Sequence, residues 1–133
     1  MAGEQKGHDD PIRLLLVDDE EGYVNVLSKR MTKRNMTVAI ALSGAQAIQA
    51  LRKEDFDVAV VDLKMEDMDG IEVLKVLKKM EPELSVIMLT GHGSEKAARE
   101  GIEFGAFDYL TKPCDLDDLV AKIREAYRHK TGQ

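Results

Sequence analysis

The chain has 133 residues, 44% hydrophobic and 33% charged, with ten glycines and three prolines. That is enough chain for one domain with its own core, and the balance excludes a disordered, collagen-like or low-complexity protein. Nineteen Lys and Arg against 25 Asp and Glu give a formal charge of -6, which excludes a general attraction to nucleic acid backbones or anionic lipid.

The single cysteine, Cys114, cannot close an internal disulfide, and the three histidines lack zinc-ligand spacing. A reducing, cytoplasmic compartment is expected. Neither a signal-peptide core nor a membrane-length apolar run occurs in the sequence.

In chain order, residues 1–11 are polar and Gly-containing and are expected to be a flexible segment. The first strand is predicted at Ile12 to Val17, the second at Met36 to Leu42 and the third at Val58 to Val61. Ser43 and Gln46 form a capping box opening a helix between the second and third strands. Ile71, Leu74 and Leu77 recur at helical spacing before a fourth strand at Val86 to Leu89. The segment Ser94 to Ile102 carries only Ala97, Ala98 and Ile102 as a thin apolar stripe, with Gly101 and Gly105 closing it, so a weakly held helix is expected. A short fifth strand follows at Phe107 to Leu110. Asp115 then precedes Asp117 and Asp118, acids favoured in a first helical turn, and Leu116, Leu119, Val120, Ile123, Ala126 and Tyr127 fall on one face of the last helix.

Continuous rather than alternating hydrophobicity in the strands means that both faces are covered, as in a parallel sheet between helical layers. The first, third and fourth strands should be central. Five strands alternating with five helices give a doubly wound (βα)5 α/β domain, expected over residues 12–129 with a tail at 130–133.

Open parallel sheets bind ligands beyond the carboxyl ends of their strands. Those ends here read Val17-Asp18-Asp19-Glu20, Val61-Asp62-Leu63-Lys64, Leu89-Thr90-Gly91-His92 and Leu110-Thr111-Lys112-Pro113. Asp18, Asp19 and Asp62 brought together would repel one another unless a hard divalent cation sat between them. Mg²⁺ takes few protein carboxylates and favours phosphate oxygens, so the set suits phosphoryl transfer, with an Asp nucleophile and with Lys112 and Thr90 as donors. Each residue alone has a plainer reading. The acids could decorate a helix N-terminus, Asp62 could cap one, Lys112 could be a solvated turn residue, and Thr90 could bond its own backbone. Four strand ends presenting these types at one sheet edge weigh against all of those together.

The acidic pair Asp18-Asp19, the run Asp62-Leu63-Lys64-Met65 followed by Asp69-Gly70, Thr90 before a small residue, Tyr109 and Lys112-Pro113 together resemble the receiver domains of two-component response regulators, from Ile12 to about Arg128. The resemblance implies a flavodoxin-like sheet of order 2-1-3-4-5 and a phosphoacceptor at Asp62. It implies Mg²⁺ or Mn²⁺ held by Asp18, Asp19, Asp62 and the backbone carbonyl of Lys64. Lys112 would pair with phosphoryl oxygens across a cis Lys112-Pro113 bond. Thr90 and Tyr109 would be the switch, reshaping the surface of the fourth helix, fifth strand and fifth helix, through which a dimer could form. Lys64 and His92, each two residues beyond Asp62 or Thr90, would tune the phosphoryl lifetime.

The implied partners are a sensor histidine kinase or phosphotransfer protein and a downstream effector. Neither direct nucleic acid binding nor enzymatic turnover beyond self-phosphorylation and slow self-dephosphorylation is expected. One departure stands out, because Glu66 occupies a place where receivers commonly carry proline.

Other readings fit these residues less well. A flavin module would need a Ser/Thr/Gly-rich loop where this chain has Asp18-Asp19-Glu20-Glu21, and an aspartyl-phosphate hydrolase would need an acid where Lys64 stands. A domain that keeps the fold but acts by contact alone, without phosphorylation, is the remaining alternative.

Overall fold

A computed structural model describes residues 10–91 and 95–131. Five strands and five helices alternate strictly: β1 (Ile12–Val17), α1 (Glu21–Thr32), β2 (Met36–Ala41), α2 (Gly44–Lys53), β3 (Val58–Asp62), α3 (Gly70–Met80), β4 (Ser85–Thr90), α4 (Glu95–Glu103), β5 (Asp108–Thr111) and α5 (Leu116–Thr131). All neighbouring strands are parallel, in the order β2-β1-β3-β4-β5. The three continuous apolar runs are therefore the central strands, as their composition implies.

Alternation within those runs divides the core. Leu14, Leu16, Val58, Val60, Ile87 and Leu89 point to one face and pack on Val24, Leu27 and Met31 of α1 and Leu119, Val120 and Ile123 of α5. Leu15, Val17, Ala59, Val61, Val86 and Met88 point to the other and meet Ala47 of α2, Ile71, Val73, Leu74 and Leu77 of α3 and Ala98 of α4. Burying apolar side chains on both faces of one sheet contributes about 25 cal/mol per Å² removed from water.

Several element ends differ from the sequence reading. β2 stops at Ala41 because the Leu42 amide turns to donate to Gln46 Oε1 at 2.8 Å, while Ser43 Oγ accepts from the Gln46 amide at 3.0 Å. The capping pair is thus present, with its return bond one residue earlier than the usual box. β3 and β4 each run past their apolar stretch to Asp62 and Thr90, since ladder hydrogen bonds extend to those polar ends. β5 starts at Asp108 and ends at Thr111, one residue later than expected.

α4 buries only Ala98 and Gly101, in keeping with its thin stripe. Gly101 does not end it. It lies inside the helix, where a Cβ would come 3.3 Å from Ile71 Cδ1, and the chain turns at Gly105, whose φ is +109°. No helix among the described residues is long and apolar enough to cross a membrane.

Candidate functional site

The carboxyl ends of β1, β3, β4 and β5 form one edge, and the side chains there are held by local backbone geometry. Asp18, buried at the end of β1, accepts the Glu20 amide on Oδ1 at 2.9 Å, a short turn that leads into α1 and leaves Oδ2 to meet Lys112. Asp62, buried at the end of β3, accepts the Lys64 amide on its Oδ1 at 3.2 Å. Behind it the chain folds back tightly. Gly70 donates to the Leu63 carbonyl at 2.9 Å, Asp69 Oδ1 caps α3 by accepting from Ile71, and a Cβ on Gly70 would meet the Asp62 carbonyl oxygen at 2.6 Å.

From β5, Lys112 reaches across. Its amide donates to the Thr90 carbonyl at 2.6 Å, the Lys112-Pro113 peptide is cis, and its Nζ lies 2.9 Å from Asp18 Oδ2, 3.1 Å from Glu20 Oε1 and 3.5 Å from Asp62 Oδ2. The same ammonium stands 4.7 Å above the ring of Tyr23, on the first turn of α1.

Electrostatics follow from this crowding. Burial pushes the Asp62 carboxyl above its ordinary range, against the pull of Lys112 and the Lys64 amide, and the charge of Asp18 adds to the rise. Burial works to lower the Lys112 pKa, yet hydrogen bonds to Asp18 and Glu20 and the charge of Asp62 outweigh it, so the ammonium is held above its usual value.

Carboxylate oxygens of Asp18, Glu20 and Asp62 all lie within 4.8 Å of one another. With one ammonium among three carboxylates the group carries an excess of negative charge that a hard divalent cation would neutralise, so this donor set fits Mg²⁺ or Mn²⁺.

Asp19 is placed differently from its neighbours. Its Oδ2 accepts the Glu66 amide at 3.0 Å, from the loop between β3 and α3, and it stands outside the three-carboxylate group. Thr90 is fully buried at the end of β4, and its Oγ1 has no hydrogen-bond partner among the described residues. Tyr109 on β5 is half-buried, opposite Met88, against the core on the α3/α4 side. Lys64 is exposed, and its backbone pairs with Asp69. His92 lies outside the described residues.

Two participants were missed in the sequence. Glu20 belonged to a visible run of acids, and its offset of two from Asp18 is the spacing of the turn that brings it back. Tyr23 carried no signal, since only the reach of Lys112 from a distant strand puts an ammonium over its ring.

A carboxylate at a strand end, an ammonium beside it, a buried hydroxyl unpartnered among the described residues and a cation-ready acid cluster can together accept an electrophilic group and stabilise anionic oxygens around it. The family model described as the response regulator receiver domain matches residues 14–124. Transcriptional regulatory protein GlrR of Escherichia coli (strain K12) is 40% identical over 116 residues, covering 87% of this chain and 26% of that protein. Transcriptional regulatory protein ZraR of the same strain is 38% identical over 120 residues, covering 90% and 27%. The chain thus spans about a quarter of the length of these curated relatives. Among solved structures, the CheY-like response regulator receiver domain protein from Methanospirillum hungatei JF-1 superposes with a TM-score of 0.88 at 28% identity, covering 92% of this chain and 98% of that one.

Proposed function

The chain belongs to the response regulator receiver family, and on that premise we propose that Asp62 accepts a phosphoryl group from the phosphohistidine of a sensor kinase or phosphotransfer protein. In this reading an Asp62 carboxylate oxygen attacks phosphorus, the P–N bond breaks, and its electron pair returns to the departing imidazole nitrogen. Asp18 and Asp62, with Asp19 and the Lys64 carbonyl as the family implies, would hold Mg²⁺ or Mn²⁺, and Glu20 is placed to join them. A bound cation would supply charge neutralisation for the incoming phosphoryl oxygens.

The protein's own residues do the rest. Lys112, kept charged by Asp18 and Glu20, faces the oxygens that would carry the transferred charge. Thr90 offers a buried hydroxyl that gains an acceptor when the phosphoryl group arrives. Movement of Thr90 opens room for Tyr109, and α4, with only two buried residues, is inexpensive to rearrange, so the surface of α4, β5 and α5 changes and a partner, an effector or a second copy reads it. Lys64 and His92 tune how long the phosphoryl group lasts. The receiver is taken as residues 12–129, although α5 continues to Thr131; it works in the cytoplasm, contacts no nucleic acid itself, and turns over nothing beyond its own phosphoryl group.

The observation that carries this reading is the reach of Lys112 to Asp62 inside the acid cluster. Its test is intact mass after incubation with acetyl phosphate, with and without Mg²⁺, alongside Asp62→Asn. One added phosphoryl group that needs Mg²⁺ and is absent from the variant is expected. No gain in mass where a control receiver is labelled would leave a domain acting by contact alone.

A further inference from the structure

The loop between β3 and α3 does more than connect. Glu66 stands where a proline would have no amide hydrogen, and that amide donates to Asp19 Oδ2 at 3.0 Å. The next residue fixes the loop in place. Asp67 accepts the Gly44 amide on Oδ1 at 2.9 Å and the Ala45 amide on Oδ2 at 3.1 Å, both at the N-terminus of α2, where a carboxylate is favoured by unpaired amides and the helix dipole. Those two amides hold the Asp67 carboxyl below its ordinary range. The Glu66 amide is thereby presented to Asp19 from a loop clipped to a neighbouring helix.

We infer that the Glu66 amide is a latch that competes with the divalent cation for Asp19, so that cation binding at this site includes the breaking of the Glu66–Asp19 hydrogen bond. The inference rests on the reading of Asp19 as a metal ligand and deepens it, making Glu66 a positioning residue that weakens resting metal affinity. The geometry agrees on both sides. Asp18, Glu20 and Asp62 cluster without Asp19, and the carboxylate of the acidic pair that stands outside the cluster is the one whose Oδ2 accepts the loop amide.

Charge and latch predict opposite signs at this position. Removing the Glu66 carboxylate alone reduces the local negative potential and leaves metal affinity equal or weaker. Removing the amide hydrogen as well frees Asp19 and strengthens it. Glu66 is exposed, so neither change disturbs the core.

Calorimetric Mg²⁺ titration at fixed ionic strength compares the whole protein with Glu66→Ala and Glu66→Pro. Glu66→Pro should bind Mg²⁺ roughly tenfold more tightly than Glu66→Ala, the order of a charge-assisted hydrogen bond at its lower end. Equal or weaker binding by the proline variant would overturn the latch. A second measurement needs no variant: solvent exchange of the Glu66 amide proton, followed by nitrogen-15 NMR, should accelerate as Mg²⁺ is added, and an unchanged or slower rate would also overturn it. If the unaltered protein neither binds Mg²⁺ nor gains phosphoryl mass, the underlying reading falls as well. If it does both while the two variants bind equally, the latch alone is lost.

Discussion

A Cβ on Gly70 would stand 2.6 Å from the carbonyl oxygen of Asp62. The first residue of α3 is thus pressed against the backbone of the proposed acceptor, and Leu63 Cα lies equally close on the same side. Neither neighbour is a flexible side chain that could swing away. Gly70→Ala must therefore displace α3 or the end of β3, at a cost of about 1–3 kcal/mol, typical of overpacking a tight contact. Urea unfolding should show a lower midpoint with an unchanged slope, and phosphorylation from acetyl phosphate should slow as Asp62 moves. An unshifted midpoint would mean that the turn yields more easily than its contacts suggest.

Thr90 carries the opposite expectation. Its hydroxyl is fully buried and unpartnered among the described residues, which costs the resting protein the desolvation of one polar group. Thr90→Val keeps the branched shape and removes that group, so it should stabilise the unphosphorylated protein by about 1 kcal/mol. The same change should abolish any extra stability gained on phosphorylation. Paired thermal melts with and without acetyl phosphate and Mg²⁺ measure both effects, and a destabilised resting variant would show that the hydroxyl is already satisfied.

How far the sequence reached follows from the kind of interaction involved. The run Leu14-Leu15-Leu16-Val17 reads as a two-faced central strand because period two sends its residues to two cores, and both cores are present. The sheet edge that gathers Asp18, Asp62, Thr90 and Lys112 was legible too, since the fold itself assigns ligands to that edge, although individual strand ends fell a residue away from their apolar runs. The bond from Glu66 to Asp19 was not, because it joins residues 47 positions apart through a loop whose path depends on Asp67 finding the N-terminus of α2. Gly101 was read as a helix end on residue type, whereas the crowding by Ile71 and Met88 that makes a small residue useful inside α4 is tertiary. Local propensity sees neither effect.

Asp108 at the start of β5 gives a pH dependence with a definite sign. Burial acts to raise its carboxyl, but the hydrogen bond from Lys122 at 2.7 Å and the Tyr109 amide prevail, and its pKa sits below the ordinary value of 3.8. The folded protein then releases this proton at lower pH than the unfolded chain does. The resulting stability is fully present above 3.8 and is lost as pH falls through the lower folded value. The Asp108 side chain is 38% exposed and Lys122 also pairs with Glu125, so screening keeps the contribution to about 0.5 kcal/mol. Asp108→Asn should therefore be slightly less stable at neutral pH, with the gap closing in acid. Chemical denaturation at a series of pH values tests this, and a gap that widens in acid would reverse the assignment.

The weak hold on α4 can be tightened at one position. Gly101 lies inside that helix, and an added Cβ would sit 3.3 Å from Ile71 Cδ1, 3.5 Å from Met88 Cγ and 3.6 Å from Leu74 Cδ2. All three are atoms of side chains that can shift by tenths of an ångström. Alanine gains about 0.8–1.0 kcal/mol of helix propensity over glycine, and the crowding at Ile71 offsets part of it. Gly101→Ala should then stabilise α4 by about 0.5 kcal/mol and slow its amide exchange about twofold, leaving exchange in the central strands unchanged. Because α4 is the element proposed to rearrange, the same variant should respond less to phosphorylation in its α4 exchange rates. Faster exchange in α4 would show instead that Ile71 cannot give way, and that the glycine is there for packing rather than for mobility.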